Sequence, residues 1–477
     1  MTVWHAPGEM QYATPRFAPR EWTDGQRSIL RLLENLFVIV VIIICLNGWR
    51  ALFVTGEEQT IRTLTEANPT FQVVSGSLYL MAAIYLVANR SRLFDLCRRN
   101  WPLVLLVAII VLSSAWSVYP VVTLRRAAAL VLTTGFGAYL ALRFSPDEAL
   151  KLTAWACLIA GTASLVVAIV DPSLGIVQQG LHEGAWQGIF AHKNRLGRSM
   201  SLAVLTLVAA AFVVRPVIKP VMIAGALLCV GLLIMSMART GWVTTFIVLM
   251  AAPFFVLLQP NRLSPAVRIL IVGLAATAGL ALIFATYQYG LALLGRDDTF
   301  SGRTHLWEMT LRSGMKNLLL GSGYRTFWTE EGASDILLYT GLGGGRGNLG
   351  NGHNGFLDTW LEIGIVGLGM FLVVFFGAVR RVVRHLTRWR DPACVWLAMI
   401  LANMFIYAWT EQVLIQQSDL SWVILVAMVF WLTPIRLNAP QRLYPAVVVG
   451  SVPSAAPGPH LATRGVAAGP GRRTGGS

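Results

Sequence analysis

His353 and Asn354 follow the glycine-rich stretch "GGGRGNLGNG" and stand at the mouth of the apolar run "GFLDTWLEIGIVGLGMFLVVFF". A neutral imidazole in such a place is suited to take a proton from a hydroxyl near neutral pH. A histidine at a helix mouth is also an ordinary interfacial residue, so its neighbours decide the reading. Those neighbours are cationic. Arg239 interrupts two apolar runs in "MSMARTGW", Arg303 lies in "SGRTHLW" and Arg325 in "GSGYRTFW". Lys193 and Asn194 lie in "GIFAHKNRLG", and Arg125 with Arg126 in "TLRRA". Taken singly, each has a plain alternative as a helix-end anchor, a solvated loop charge or a topological irregularity. Together they describe a site for an anion. Guanidinium presents a planar fork that grips phosphate through two hydrogen bonds. At an effective dielectric of about 20, each unit charge pair at 4 Å contributes about 4 kcal/mol, so two or three contacts could hold a pyrophosphate without a metal. The chemistry these parts allow is transfer of a group from a pyrophosphate carrier to an alcohol.

Other chemistries find less support. No carboxylate–histidine cluster has metal-ligand spacing, and neither metal nor cofactor is expected. The stretch "YTGLGGGRGNLGNG" lacks the GK[ST] of a phosphate loop and the βαβ context of a dinucleotide site. The five cysteines form no disulfide or metal pattern and read as small core residues.

The elements that must position these residues follow from composition. The chain has 477 residues, 55% hydrophobic and 13% charged, against about 25% charged in soluble domains. Its mean hydropathy is +0.62. An all-α integral membrane protein is expected, built from apolar runs of about 20 residues that match roughly 30 Å of hydrocarbon. Twelve spans are predicted near 35–54, 71–88, 102–117, 127–143, 149–170, 196–214, 217–237, 240–258, 266–286, 356–377, 393–409 and 419–433. Residues 217–258 would make about 63 Å of helix if continuous, which is two crossings, so the chain must turn at "MARTG".

Loop charges check this count. Arg90/Arg92/Arg98/Arg99, Arg143/Lys151, Arg215/Lys219, Arg262/Arg268 and Arg380/Arg381/Arg384/Arg388/Arg390 fall in alternate loops. Glu57, Glu58 and Glu66, then Glu411 and Asp419, fall in the others. That alternation places both termini in the cytoplasm, and the net charge of +15 then reflects cytoplasmic loops, with no nucleic-acid partner. The candidate cations and His353 lie on the opposite face. The expected organisation is a cytoplasmic segment 1–34 without a signal peptide, a membrane domain 35–433 and a disordered cytoplasmic tail 434–477. A large periplasmic loop, 287–355, separates spans nine and ten. Within it Trp307, Leu311, Met315 and Leu318 recur at helical spacing, which predicts a helix lying apolar side down on the membrane surface.

Five blocks, "LSSAWSVYPVVTLRRA", "GIFAHKNRLGRSM", "MSMARTGW", "SGRTHLWEMTLRSGMKNLLLGSGYRTFW" and "GHNGFLDTWLEIGIVGLGMF", resemble in order those of the O-antigen ligase and Wzy-type polysaccharide polymerase superfamily. The last fits its pattern of His, then Asn, Ser or Gln, nine residues, and Gly-x-x-Gly, here His353, Asn354, Gly364 and Gly367. The resemblance covers roughly residues 100–375 and implies a GT-C-like fold with about twelve helices and metal-independent, inverting glycosyl transfer. It implies a donor glycan on undecaprenyl pyrophosphate, with Arg239 and Arg303 on the pyrophosphate and His353 as the base. Lys193, Asn194, Arg125, Arg126, Arg325 and Asn354 are supporting residues. The wording of "FAHKNRLGRSM" is closest to the exopolysaccharide-polymerase branch, located in the bacterial inner membrane. Partners would be the lipid-linked oligosaccharide, membrane lipids and a chain-length regulator or export machinery. A ligase acting on lipid A core is the alternative. A transporter of lipid-linked sugars is a third reading, disfavoured because the charges cluster at one face and no internal repeat is visible.

Overall fold

In a computed structural model, the described residues are 24–48, 69–180, 182–260, 303–329 and 351–433, with isolated positions at 264, 267, 270, 273 and 336. Among them regular structure is helical, and the one β feature is an isolated antiparallel bridge between Ile176 and Trp186.

The helices are α1 (Asp24–Cys45), α2 (Pro69–Ala88), α3 (Arg90–Arg99), α4 (Trp101–Leu112), α5 (Pro120–Arg143) and α6 (Pro146–Val170). They continue with α7 (Lys193–Ala210), α8 (Lys219–Met235), α9 (Arg239–Leu258), α10 (Arg303–Gly314), α11 (Gly355–Leu386), α12 (Pro392–Ala408) and α13 (Leu420–Trp431). In so apolar a chain, polar caps rather than hydrophobic periodicity mark where helices begin. Ser145 and Glu148 form a reciprocal capping box on α6, and Asp391 and Asp419 cap α12 and α13. Helices α1, α5, α6, α9 and α11 are long and apolar enough to cross a membrane, while α2 and α3 meet at a 91° bend.

The centre of the bundle is α13, buried from Leu420 to Phe430, together with α7 and α12. Between nonpolar helices, interhelical hydrogen bonds and small residues supply the adhesion. Asn403 Nδ2 and Thr245 Oγ1 both donate to Ser201 Oγ, at 2.9 and 2.7 Å, joining α12, α9 and α7. Trp396 Nε1 donates to Thr206 Oγ1 at 3.1 Å.

Contacts between helix ends sort into two groups. At one end Arg143 pairs with Glu34 through two 2.5 Å contacts, Trp431 Nε1 donates to the Phe144 carbonyl, and Arg381 donates to Asn100 and Thr433. At the other, Asn47 donates to the Ser418 carbonyl, Trp186 N to Met235 O, and Tyr324 Oη to Ile415 O. The candidate residues belong to this second end.

The helices depart from the predicted spans in several places. Helix α1 starts at Asp24, not near residue 35, because Arg31 and Glu34 find partners in Glu148 and Arg143. Arg90–Arg99, expected as a basic loop, is a helix that buries Leu96 and leaves its charged face outward. Helix α11 runs on to Leu386, well past 377, and carries Arg380, Arg381 and Arg384 in its last turns. The predicted ninth span, 266–286, lies outside the described residues apart from helical positions 267, 270 and 273. The segments 1–23 and 434–477 and most of the 287–355 loop lie outside them too.

Helix α11 is also broken. Gly364 has φ 70° and ψ 179°, a conformation essentially confined to glycine. The segment Leu318–Gly323 fills the break: Ile365 N donates to Leu318 O at 3.0 Å, Ser322 N to Leu361 O and Gly323 N to Glu362 O, both at 2.9 Å. A Cβ on Gly364 would stand 2.0 Å from the Leu319 carbonyl oxygen. Helix α10 docks beside this break with Leu306 and Thr310 buried and Gly314 against Trp360. Leu311, Met315 and Leu318 are exposed, an apolar outward face of the kind a membrane-surface helix presents.

Candidate active site

The turn before α11 is fixed from several sides. Asn354 caps the helix, its Oδ1 accepting from Phe356 N and Leu357 N at 3.1 Å each. Asp358, buried one turn in, accepts from Gly352 N at 2.8 Å and Trp328 Nε1 at 2.7 Å. Trp307 Nε1 on α10 donates to Gly352 O at 2.9 Å. His353 itself has φ 50°, a left-handed conformation uncommon outside glycine, held by its N–H donating to Asn351 Oδ1. Its Nδ1 is shielded from solvent and lies 3.4 Å from Glu411 Oε2, a charge contact too long and ill-aligned for a hydrogen bond. The side chain is 32% exposed, so the open part of the ring is the edge away from Nδ1.

Cations gather on one side of this pair. Lys193 is the first residue of α7 and is buried, and its helix is capped by His192, whose Nδ1 accepts from Asn194 N at 3.1 Å. Asn194 thus contributes its backbone N–H to the cap. Arg239 is the first residue of α9, directly after the turn Ser236–Ala238 in which Met237 takes φ 52°. Gly197 lets the two helix starts approach: a Cβ there would sit 2.3 Å from Ala238 Cβ. Lys193 and Arg239 are consequently close enough for their charges to repel. Partial removal of the His192 ring from water, followed by Arg195, pushes its pKa down to about 4, while Glu411 pulls the other way. Glu411 therefore acts on both His353 and His192.

A second cluster lies past Gln412. Its Nε2 donates to Glu362 at 2.8 Å, and Glu362 lies close enough to Arg325 for their charges to attract. Arg325, expected as a loop arginine, has φ 62° and a buried Nη1. Arg126 Nη1 donates to the Arg325 carbonyl. Arg125 precedes it on α5. Arg303 opens α10, one turn before Trp307, and its side chain lies outside the described residues.

The sequence singled out His353, Asn354, Lys193 and Arg239, which share one end of the bundle. It treated Glu411 only as a loop acid. The available signal was position: a carboxylate on a face otherwise rich in lone cations. Among the described residues no group of three or more His, Cys, Asp or Glu could hold a metal ion. A shallow groove lined by Asn100, Leu103, Val374, Ala378, Arg380 and Arg381 is at the far end of the bundle from His353.

Residues 224–372 match the family Wzy_C, described as O-Antigen ligase. That segment is similar to the O-antigen ligase family. It runs from α8 through Arg239, Arg303 and His353 to the α11 break, so the family segment holds the central residues of the site. The chain is also 28% identical over 272 residues to the exopolysaccharide production protein ExoQ of Rhizobium meliloti (strain 1021). The aligned part covers 54% of this chain and 61% of that protein. Lys193, Arg125 and Arg126 precede the O-antigen ligase segment.

Proposed function

We propose that this protein is a glycosyltransferase that joins oligosaccharide repeat units, carried on undecaprenyl pyrophosphate, into an exopolysaccharide. The reaction takes place on the periplasmic face of the bacterial inner membrane, in a bundle of about twelve GT-C-like spans with both termini cytoplasmic. The observation that carries this reading is the His353–Glu411 contact beside Lys193 and Arg239 at one end of an apolar helical bundle.

The donor pyrophosphate is held by Arg239, with Arg303 and Lys193 assisting, while its lipid chain lies among the helices. The acceptor hydroxyl gives its proton to the open edge of His353 and its oxygen attacks the anomeric carbon. The bond from that carbon to the pyrophosphate oxygen breaks, the lipid pyrophosphate leaves with the electron pair, and the configuration inverts. Glu411 stabilises the imidazolium formed in that step, and arginine holds the charge developing on the leaving group. Positioned acid–base catalysis of this kind contributes about 10²–10⁴-fold.

The exopolysaccharide role of the relative favours polymerisation, and the description of the matched family favours ligation to lipid A core. Purified protein incubated with lipid-linked repeat units alone should yield a ladder of polymers. A ligase would give none, transferring lipid-linked polymer only when lipid A core is added.

A further inference from the structure

Arg126 and Arg325 carry a feature that catalysis at His353 does not use. Arg126 reaches across from α5 to donate to the backbone carbonyl of Arg325, and the two side-chain charges are close enough to repel. Like charges held this close call for a compensating anion. Among the described residues neither forms an ion pair. Glu362, the carboxylate that acts most strongly on them, accepts a hydrogen bond from Gln412 Nε2 and makes no ion-pair contact with either. Among the described residues the buried Arg325 Nη1 has no hydrogen-bond partner, although a buried donor left unsatisfied is costly.

Nothing about Arg325 is loose. Its left-handed backbone follows Gly323, where a Cβ would strike Ser117 Oγ at 2.3 Å, and Tyr324, whose hydroxyl is held by Ile415 O and Gln417. Thr326 Oγ1 bonds Ser117 at 3.0 Å, fastening the turn to the loop before α5. Strain and repulsion kept in a rigid turn mark a place built for a ligand.

Chemistry and surroundings say which ligand. Two guanidinium forks, with Arg125 adjoining, match the several oxygens of a diphosphate. Next to them the surface is apolar. Val121 and Leu124 on α5 are 79% and 52% exposed, and Leu319 and Leu320 are exposed as well. Trp116 Nε1 donates to Leu320 O and so ties these two surfaces together. An anion cradle bordered by exposed apolar side chains fits a lipid diphosphate better than a free one.

We infer that Arg126 and Arg325 form a second diphosphate site, separate from the one at Lys193 and Arg239, which takes the headgroup of a lipid-linked acceptor. The nature of this lipid rests on the proposed function. An enzyme that joins two lipid-linked units must hold two diphosphates at once, and Glu411 and Gln412, adjacent in sequence, link His353 to one cluster and Glu362 to the other.

Binding of geranyl diphosphate to the purified full-length protein tests this without requiring turnover. Two molecules per chain are expected. Arg239→Gln should leave one, Arg126→Gln with Arg325→Gln should leave one, and all three together none. Inorganic pyrophosphate should bind the second site at least about tenfold more weakly, since it has no chain to lay on the apolar surface. A single site in the unaltered protein, or two sites surviving the Arg126 and Arg325 changes, would overturn the inference. Equal affinity for pyrophosphate would overturn its lipid part. Should the Gln pair bind nothing, Arg126→Lys with Arg325→Lys decides, because it keeps the charge but loses the fork. That pair should retain one site unchanged and one weakened about tenfold or more, and two unaltered sites would overturn the inference. Two bound diphosphates without polymer would leave this site standing and defeat the proposed function, whereas polymer with one bound would do the reverse.

Discussion

Glu411, on the loop between α12 and α13, faces the shielded Nδ1 of His353 at 3.4 Å. The opposite edge of the ring is therefore the open one, and in the proposed proton transfer the carboxylate faces the charge that the ring takes on. His353→Ala should reduce the rate of ladder formation by about 10²–10⁴-fold with the melting temperature little changed. Glu411→Gln keeps the shape and removes the charge, and should cost turnover about tenfold with little change in donor KM. Undiminished activity in His353→Ala would remove the base from the mechanism.

Arg239 and Arg303 are expected to need their forks as well as their charge. Replacing either by Lys should raise donor KM or lower kcat by about tenfold or more, since an ammonium cannot make the paired contact. Donor titrations with each variant provide the check.

Gly364 and Gly369 offer a paired test of the broken helix. Gly364→Ala must place a Cβ 2.0 Å from the Leu319 carbonyl in a glycine-only conformation. It should lower the melting temperature and abolish activity, the backbone alone costing about 1–3 kcal/mol. Among the described residues nothing stands within 4 Å of where a Cβ on Gly369 would lie, so Gly369→Ala should be neutral or stabilising by up to about 1 kcal/mol. Equal melting temperatures in the two variants would contradict the break.

Asp358 holds two donors, Gly352 N–H and Trp328 Nε1–H. Asp358→Ala orphans both at a cost of about 1–3 kcal/mol each and should release the turn carrying His353. Thermal melting and kcat should fall together. Trp328→Phe removes one donor and one bond and should do less.

His192 caps α7 through an unprotonated Nδ1, and its pKa lies near 4 in the folded chain against an ordinary value of about 6.5. The unfolded chain therefore binds the extra proton first on acidification. Stability from this cap is full above about pH 6.5 and lost as pH falls toward about 4. His192→Asn, a capping residue that does not titrate, should flatten that part of the melting-temperature profile.

The positions of His353, Lys193 and Arg239 were legible in the sequence because each sits where an apolar run begins, and a lone charge there limits where the helix can start. The motif spacing of Gly364 and Gly367 was legible too, but its meaning was not: an uninterrupted helix accepts glycine, and only the insertion of Leu318–Gly323 turns Gly364 into a break. Glu411 escaped for a similar reason, since its partner is set by the packing of α11 against α12. Charge alone made Arg90–Arg99 look like loop, although Leu93, Leu96 and Cys97 recur at helical spacing and Leu96 is buried. The setting of Arg325 depends on its own turn, Gly323–Arg325, meeting Arg126 from 199 residues earlier in the chain.

Because Leu318–Gly323 completes the backbone pairing of α11 at its interruption, it cannot swing away without leaving buried N–H and C=O groups unpaired, each costing about 1–3 kcal/mol. It works as a fixed post rather than a door. For the proposed reaction, substrates on a lipid tether are then expected to reach His353 by gliding sideways within the bilayer rather than by displacing that post.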